Sequence, residues 1–289
     1  MCNKRHTVVG LVCRLGYIVM PIVVFGGITR NVRFRGSQET HMQFQRPVQN
    51  LSRPDNYILA NLPDEEFARL SRFLVRVQLP LGFQFFGPSE PADHIYFPIS
   101  GVVSTTAVTE AGEIVEIGMT GSDGLVGVLT LLGQLESTHS IVMQISGEGF
   151  RVKASLAQEL LHEGGRFTAM VYEHISLQML QMGQSALCNR LHDVKSRLAR
   201  WLLTASDRNR SEQLGLTQEF LSQMLGSRRS TVTVMAGELQ REGLIEYSRG
   251  KILITDREAL EAVACECYGI VTSAYKRVLQ GDKDRVAAD

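Results

Sequence analysis

Leu216-Thr217-Gln218-Glu219-Phe220-Leu221-Ser222-Gln223-Met224-Leu225-Gly226, then Ser227-Arg228-Arg229-Ser230-Thr231-Val232, is the stretch that decides how this 289-residue chain reads. Thr217 is placed to cap a helix, because its hydroxyl can accept a bond from a free amide in the first turn. Phe220, Leu221, Met224 and Leu225 recur at three- and four-residue spacing, which makes one apolar stripe. Gly226 follows, a residue that tolerates the left-handed geometry of a helix stop. A second helix is expected from about Ser227 to Arg241, with Val232, Ala236 and Leu239 inward and Gly243 closing it. Two short helices around a glycine turn form the helix-turn-helix pattern, whose second helix enters the DNA major groove.

The opposite face of that second helix is small and polar. At about 100° per residue, Ser227, Ser230, Val234 and Gly237 point away from Val232, flanked by Arg229 and Thr233. Arg228 and Arg229 fall in the first turn, where recognition helices touch bases. Arginine can bond guanine bidentately, while serine or threonine can reach a base edge or a phosphate. By itself the pattern also fits a surface helical hairpin inside a larger helical domain. The next segment strengthens the DNA reading. Leu244-Ile245-Glu246-Tyr247 and Lys251-Ile252-Leu253-Ile254 are strand-like runs around Ser248-Arg249-Gly250, so a short hairpin should follow the helices. That arrangement is a winged helix, with Arg249 and Lys251 at the wing tip suited to phosphates. Between Arg190 and Arg257 there are twelve Lys and Arg against eight Asp and Glu, in a chain whose formal net charge is zero.

Here the chain resembles the Crp/Fnr family of bacterial transcription regulators, over roughly Asn56 to Arg257. The resemblance is carried by the two stretches above, by Leu239-Gln240-Arg241-Glu242-Gly243-Leu244-Ile245 and by the hairpin. It implies contacts to DNA from Thr217, Gln218, Ser227, Arg228, Arg229, Ser230, Thr231, Thr233, Val234, Arg249 and Lys251. Many family members carry arginine, glutamate and a second arginine on the recognition helix. Arg229 matches the first, but Ser230 and Val234 stand at the other two positions. A different or relaxed half-site is therefore expected, with Arg229 reading a base and Val234 able to touch a thymine methyl.

Upstream, Pro63-Asp64-Glu65-Glu66 should open a helix with Phe67, Leu70 and Leu74 on its stripe, acidic residues suiting its N-terminal dipole. Short apolar runs then alternate with turns: Val77 to Leu81, His94 to Phe97, Val102 to Thr109, Glu113 to Met119, Ile141 to Ile145 and Phe150 to Val152. The turns include Gly87-Pro88, Ser100-Gly101, Ala111-Gly112, Gly121 to Gly124 and Gly147 to Gly149. Many short strands imply a double-sheet roll or barrel, not a parallel sheet. The resemblance names it as a cyclic-nucleotide-binding-type β-roll, with Ile95 to Gly101 a typical stretch. The expected fold class is α+β: an N-terminal β-roll of jelly-roll type, a long dimerisation helix and a C-terminal winged helix-turn-helix.

Family members that bind a cyclic nucleotide hold its ribose with a glutamate after a glycine, and its phosphate with an arginine-serine pair. In this chain Gly127 is followed by Val128, while Thr138 and His139 stand at the arginine and serine positions. A buried phosphate without a cation is costly, so cyclic AMP is not expected as the ligand. The five cysteines, Cys2, Cys13, Cys188, Cys265 and Cys267, lack the constellation of an iron–sulfur cluster. Cys265 and Cys267 read first as packing residues, with oxidation an alternative. Haem would need an axial ligand, for which His139, His162 and His174 are isolated candidates. No cofactor and no metal are expected.

Arg166 to about Asn189 has no proline and is rich in good helix formers. Phe167, Val171, Ile175, Met179, Met182 and Ala186 make one stripe; Met170, His174, Leu177 and Gln181 make another. A helix with two apolar faces can pack on its own roll and on a second subunit. The resemblance favours a homodimer, and the second stripe is assigned to the dimer contact. Val194, Leu198, Trp201 and Leu202 should face inward on the next helix, and Asp207 to Gly215 reads as a polar loop.

The expected divisions are 1–55 as an N-terminal extension, 56–165 as the roll, 166–190 as the dimerisation helix, 191–260 as the DNA-binding domain and 261–289 as a tail. Val8 to Ile28 is long enough for a bilayer and is interrupted only by Arg14. Arg14, Gly16, Pro21, Gly26 and Gly27 weigh against an anchor, which ranks behind a later translation start at Met42 and a loose extension. A reducing, cytoplasmic compartment fits the cysteines. The implied partners are double-stranded DNA with a palindromic operator, a second copy of the chain and, for an activator, RNA polymerase. The competing function class is a membrane- or partner-tethered signalling module whose roll is an interaction surface. No Walker loop, nucleophile elbow or metal-spaced His/Glu pair suggests an enzyme.

Overall fold

A computed structural model describes residues 52–86, 93–134 and 139–286, with side chains to 279. The segment upstream of 52, the Gly87-Pro88 turn and Thr138 lie outside the described residues. Two short helices open the fold, α1 (Tyr57–Ala60) and α2 (Asp64–Ser71), and Asp64, Glu65 and Glu66 do fill the first turn of α2. Strands β1 (Val75–Leu79), β2 (Gln84–Phe86), β3 (His94–Pro98), β4 (Val102–Val108) and β5 (Ile114–Thr120) come next. After α3 (Val128–Leu131), β6 (Ser140–Ile145) and β7 (Gly147–Lys153) complete two antiparallel sheets, ordered β1-β7-β3 and β2-β6-β4-β5. Both sheets send side chains to a shared core of Val77, Leu79, Phe85, Phe86, Tyr96, Val103 and Met143. The roll expected from the spacing of short strands is present.

The back of the β1-β7-β3 sheet is covered by α1, α2, α4 (Ala154–Glu163) and the start of α5 (Arg166–Leu191), through Leu59, Phe67, Leu70, Phe97, Phe150, Ala157, Phe167 and Val171. Asn56 is fully buried and its polar atoms are all used. Its oxygen accepts from Leu59 N at 3.2 Å, and its amide donates to Pro98 O and Gly124 O at 2.9 and 2.8 Å. Glu66 reaches from α2 to accept from Arg166 N at 2.9 Å and Phe167 N at 2.8 Å, capping α5 across 100 residues of chain.

Beyond α5 come α6 (Val194–Asn209), β8 (Gln213–Leu214), α7 (Gln218–Met224), α8 (Arg229–Arg241), β9 (Ile245–Ser248), β10 (Lys251–Ile254), α9 (Arg257–Val263) and α10 (Cys267–Val286). The polar loop expected at Asp207 to Gly215 contains β8, which pairs with β10 and makes the wing a three-stranded sheet, β8-β10-β9. The tail expected from 261 is mostly the 20-residue helix α10. Its Val271, Ala274 and Tyr275 pack on Leu177 of α5.

That packing corrects the dimer assignment. Met170, His174, Leu177 and Gln181 face inward, none more than 6 % exposed. His174 Nε2 lies 3.0 Å from Leu125 O, and Gln181 Oε1 accepts from Met119 N at 3.2 Å. Gly124 makes room for His174, since a Cβ there would sit 2.1 Å from the imidazole. The apolar side chains α5 leaves in solvent are Tyr172, Met179, Leu180, Leu187 and Leu191. Of the first stripe, Phe167 and Val171 are buried, whereas Met179 is 69 % exposed. The stripe changes sides because 3.6 residues per turn does not match a four-residue repeat, so it drifts around the helix.

Candidate nucleic-acid interface

Thr217 caps α7, its Oγ1 accepting from Phe220 N at 3.2 Å. Leu221, Met224 and Leu225 turn inward against Leu198, Trp201 and Leu202 of α6, and Val232, Ala236 and Leu239 of α8 join the same core. Gly226 adopts φ +55° at the turn. The Arg197 guanidinium donates to Leu225 O and, at 2.8 Å, to Asn189 Oδ1, so the end of α7 is tied to the end of α5. The second helix starts two residues later than expected: Arg228 is its N-cap and Ser227 lies in the turn, its hydroxyl donating to Leu225 O at 3.2 Å.

With the apolar side consumed, α8 shows solvent Arg229, Ser230, Thr233, Val234 and Gly237, with Arg228 just before it. Val234 is 54 % exposed, an apolar side chain turned to water. Thr231 and Gln218 are half-buried, and the Thr233 hydroxyl lies 2.8 Å from Gln218 Oε1. Arg229 Nη1 is 3.5 Å from Glu219 Oε2, with both side chains largely exposed. An exposed pair of this kind contributes little to stability, so the guanidinium is free to exchange partners. Glu219 had no assigned role in the sequence reading, and its pairing with Arg229 depends on the helix–turn–helix angle.

The wing stands beside α8. Ser248 pairs directly with Lys251, leaving Arg249-Gly250 as a two-residue loop with φ of 50° and 77°. Positive φ at both centres is the hairpin turn whose twist matches its strands. Arg249 and Lys251 are exposed at that tip. Gln240 Oε1 accepts from Tyr247 N at 3.1 Å, which fixes the wing to the back of α8.

The roll meets this domain directly. Val102 and Met119 belong to the core of the helix-turn-helix domain, and Trp201 Nε1 donates to Glu116 Oε1 at 2.9 Å. Glu116 is fully buried, and burial pushes its carboxyl up to about 8 against the opposing pull of Ser104, Arg200 and Trp201. Nearby, Arg208 pairs with Asp123 at 3.3 Å and lies 3.9 Å over the Tyr275 ring. A cleft of about 650 Å³ opens beside it, lined by Asp123, Asp207, Arg208, Arg257, Tyr268 and Tyr275 among others.

The nucleotide-pocket candidates fare differently. Gly127 caps α3 with φ 103°, and a Cβ there would meet Ile95, His94 O and Phe86 at 3.0 to 3.3 Å. Val128 is half-buried in α3 and His139 precedes β6. Inside the roll, Phe83, Phe85 and Phe86 stack edge-on around Tyr96 at centroid distances of 5.0 to 6.3 Å. Of the haem candidates, His162 is exposed on α4 and His174 is buried against Leu125. Among the described residues, no helix is long and apolar enough to cross a membrane.

Residues 196–263 match the family model for a Crp-like helix-turn-helix domain. The global nitrogen regulator of Synechococcus elongatus is 27% identical over 192 residues, covering 63% of this chain and 86% of that protein. A solved Crp/Fnr-family regulator from Thermus thermophilus superposes with a TM-score of 0.54 at 25% identity, covering 65% of this chain and 97% of that one. The c-di-GMP-responsive regulator CLP of Xanthomonas campestris shares the fold, with a TM-score of 0.57 at 20% identity over 67% of this chain and all of that one. The chain thus carries a Crp-like helix-turn-helix domain at residues 196–263 and, with its β-roll and long spine helix, has the fold of the Crp/Fnr-type transcription regulators it resembles.

Proposed function

We propose that the chain works as a homodimer in the cytoplasm, reading a palindromic operator with α8 of each protomer in the major groove. The observation that carries this is the two-sided character of α8: its inner side is locked into the domain core, and its outer side presents Arg228, Arg229, Ser230, Thr233 and Val234 together. Arg229 is assigned to a base edge, with release from Glu219 on binding. Arg249 and Lys251 take phosphates, and Thr217 and Gln218 support the backbone contact at the start of α7. The exposed apolar row Tyr172, Met179, Leu180, Leu187 and Leu191 is assigned to the two-fold contact. Two such rows in apposition remove apolar surface from water and set the reader helices apart by a fixed spacing.

The roll is assigned an effector role without cyclic AMP. Its interior is occupied by the Phe83–Phe85–Phe86–Tyr96 cluster, and the Val128 side chain offers no carboxylate for a ribose hydroxyl. No enzymatic activity is assigned, and contact with RNA polymerase is reserved for an activating role. Selection of bound sites from a random DNA pool tests the reading. A two-fold symmetric consensus is expected; a single asymmetric site, or none, overturns it. Saturable cyclic AMP binding at micromolar concentration would overturn the assignment for the roll.

A further inference from the structure

Four side chains from distant parts of the sequence converge where the spine helix ends. Cys188 lies in the last turn of α5, His192 is its C-cap, and Cys265 and Cys267 flank the start of α10. Their sulfur and ring-nitrogen atoms all lie within 4.8 Å of one another. Cys188 Sγ is 3.5 Å from Cys265 Sγ, and His192 Nδ1 is 3.4 Å from Cys267 Sγ. Zinc held by thiolates at about 2.3 Å and imidazole at about 2.0–2.1 Å in a tetrahedron sets its ligand atoms roughly 3.5–3.8 Å apart. Two of the observed spacings match those of ligands around one ion, and all the ligand atoms lie within 4.8 Å of one another, close enough for a small inward shift to complete the set. A polynuclear iron–sulfur cluster would hold its thiolates further apart, because several irons and sulfides lie between them.

What surrounds the four fits the same conclusion. The other nitrogen of His192, Nε2, lies 3.2 Å from Glu266 Oε1. A carboxylate behind the second ring nitrogen is the usual companion of a metal-bound imidazole, since it fixes the tautomer and the ring orientation. Gln184 Nε2 donates to Cys267 Sγ at 3.1 Å, a bond that a thiolate accepts better than a thiol. Cys188 and Cys267 have no exposed surface and Cys265 has little, while His192 reaches the edge of the site. Packing alone would account for three buried cysteines. It gives no reason for an imidazole turned toward them with a carboxylate behind it.

We propose that Cys188, His192, Cys265 and Cys267 form a site for one zinc-type divalent ion that clamps the C-terminal helix to the end of the spine. Three sulfurs and one imidazole select a soft or borderline ion over magnesium or calcium. The clamp joins α5, which carries the assigned two-fold face, to the α9–α10 corner at the end of the reader domain. Ion occupancy would then hold the reader at a set angle to the spine. The ligand set stands independently of the DNA reading.

The test is cobalt(II) titration of the full-length, untagged, reduced protein, followed by competition with zinc. One equivalent per chain should produce the thiolate charge-transfer and visible bands of tetrahedral cobalt, and zinc should abolish them. Cys265→Ser/Cys267→Ser should abolish the bands. Glu266 is exposed, so Glu266→Gln leaves the fold intact and should weaken cobalt binding about 10–100-fold, which decides the question even where the double variant fails to fold. Three results overturn the proposal: no tetrahedral spectrum at one equivalent; an unchanged spectrum in the double variant, which would place the ion on other residues; or a Cys188–Cys265 disulfide in the isolated protein with no cobalt uptake after its reduction.

Discussion

The recognition helix α8 and the spine helix α5 differ in how much of their orientation periodicity can reveal. On α8 the apolar positions Val232, Ala236 and Leu239 fall on one side and, Val234 apart, small or polar residues on the other, so hydrophobic burial leaves a single way to dock it. On α5 apolar side chains surround the helix. Phe167, Met170, Val171 and Leu177 are buried, while Tyr172, Met179, Leu180, Leu187 and Leu191 are exposed. Nothing in the composition of those two sets separates them. An amphipathic pattern states which face is inside; a helix apolar all round states only that it has two partners.

The largest effect that can break this comparison comes from the inner face of α5. Phe167→Ala should lower stability by about 3–5 kcal/mol in a urea or thermal titration. A loss below 1 kcal/mol would mean Phe167 is not packed as described. On the outer face, Met179→Glu should leave the melting temperature of the protomer nearly unchanged but shift sedimentation from dimer to monomer and weaken operator binding with it. Retention of the dimer would return the two-fold contact to another surface.

Smaller effects sharpen the α8 side. Arg229→Ala should cost about 1–3 kcal/mol on the selected operator and relax the choice of base there, read by gel shift on single-base variants. A uniform loss across all sequences would demote Arg229 to a phosphate contact. Lys251→Ala at the wing tip should weaken every sequence alike and reduce the slope of log affinity against log salt by about one.

The joint between roll and reader adds a pH dependence that is read on stability alone and leaves base choice untouched. Folded Glu116 keeps its proton up to about 8, whereas in the unfolded chain it loses it near 4.5. The folded state therefore binds the extra proton between those values. The stability contributed is complete below about 4.5 and is lost as pH rises through about 8. The melting temperature of the wild type should fall from pH 5 to pH 8 relative to Glu116→Gln; parallel curves would show that the carboxyl is ionised in place.

The head was legible in sequence because its determinants are local. Thr217, Gly226 and the Arg249-Gly250 turn each act on the backbone within a few residues, and each has the expected role in the structure. The roll was legible as a set of short strands, although β2 and β8 escaped, being only three and two residues long. The Cys188, His192, Cys265 and Cys267 cluster had no signature, since more than 70 residues separate its two halves and Cys265 and Cys267 flank a single residue. His192 was the missing signal: four residues after Cys188, it shares a helix end with it.

Local chemistry was thus enough to establish the two-helix reader with its wing, the many-stranded roll and a long helix between them, because caps, turns and periodicity act over one or two helical turns. Which side of α5 meets the roll, where the C-terminal helix lies, and which cysteines meet a histidine were decided by tertiary packing. Those outcomes depend on which apolar surfaces exclude water from one another across 50 to 100 residues of chain, and residue spacing carries no record of that.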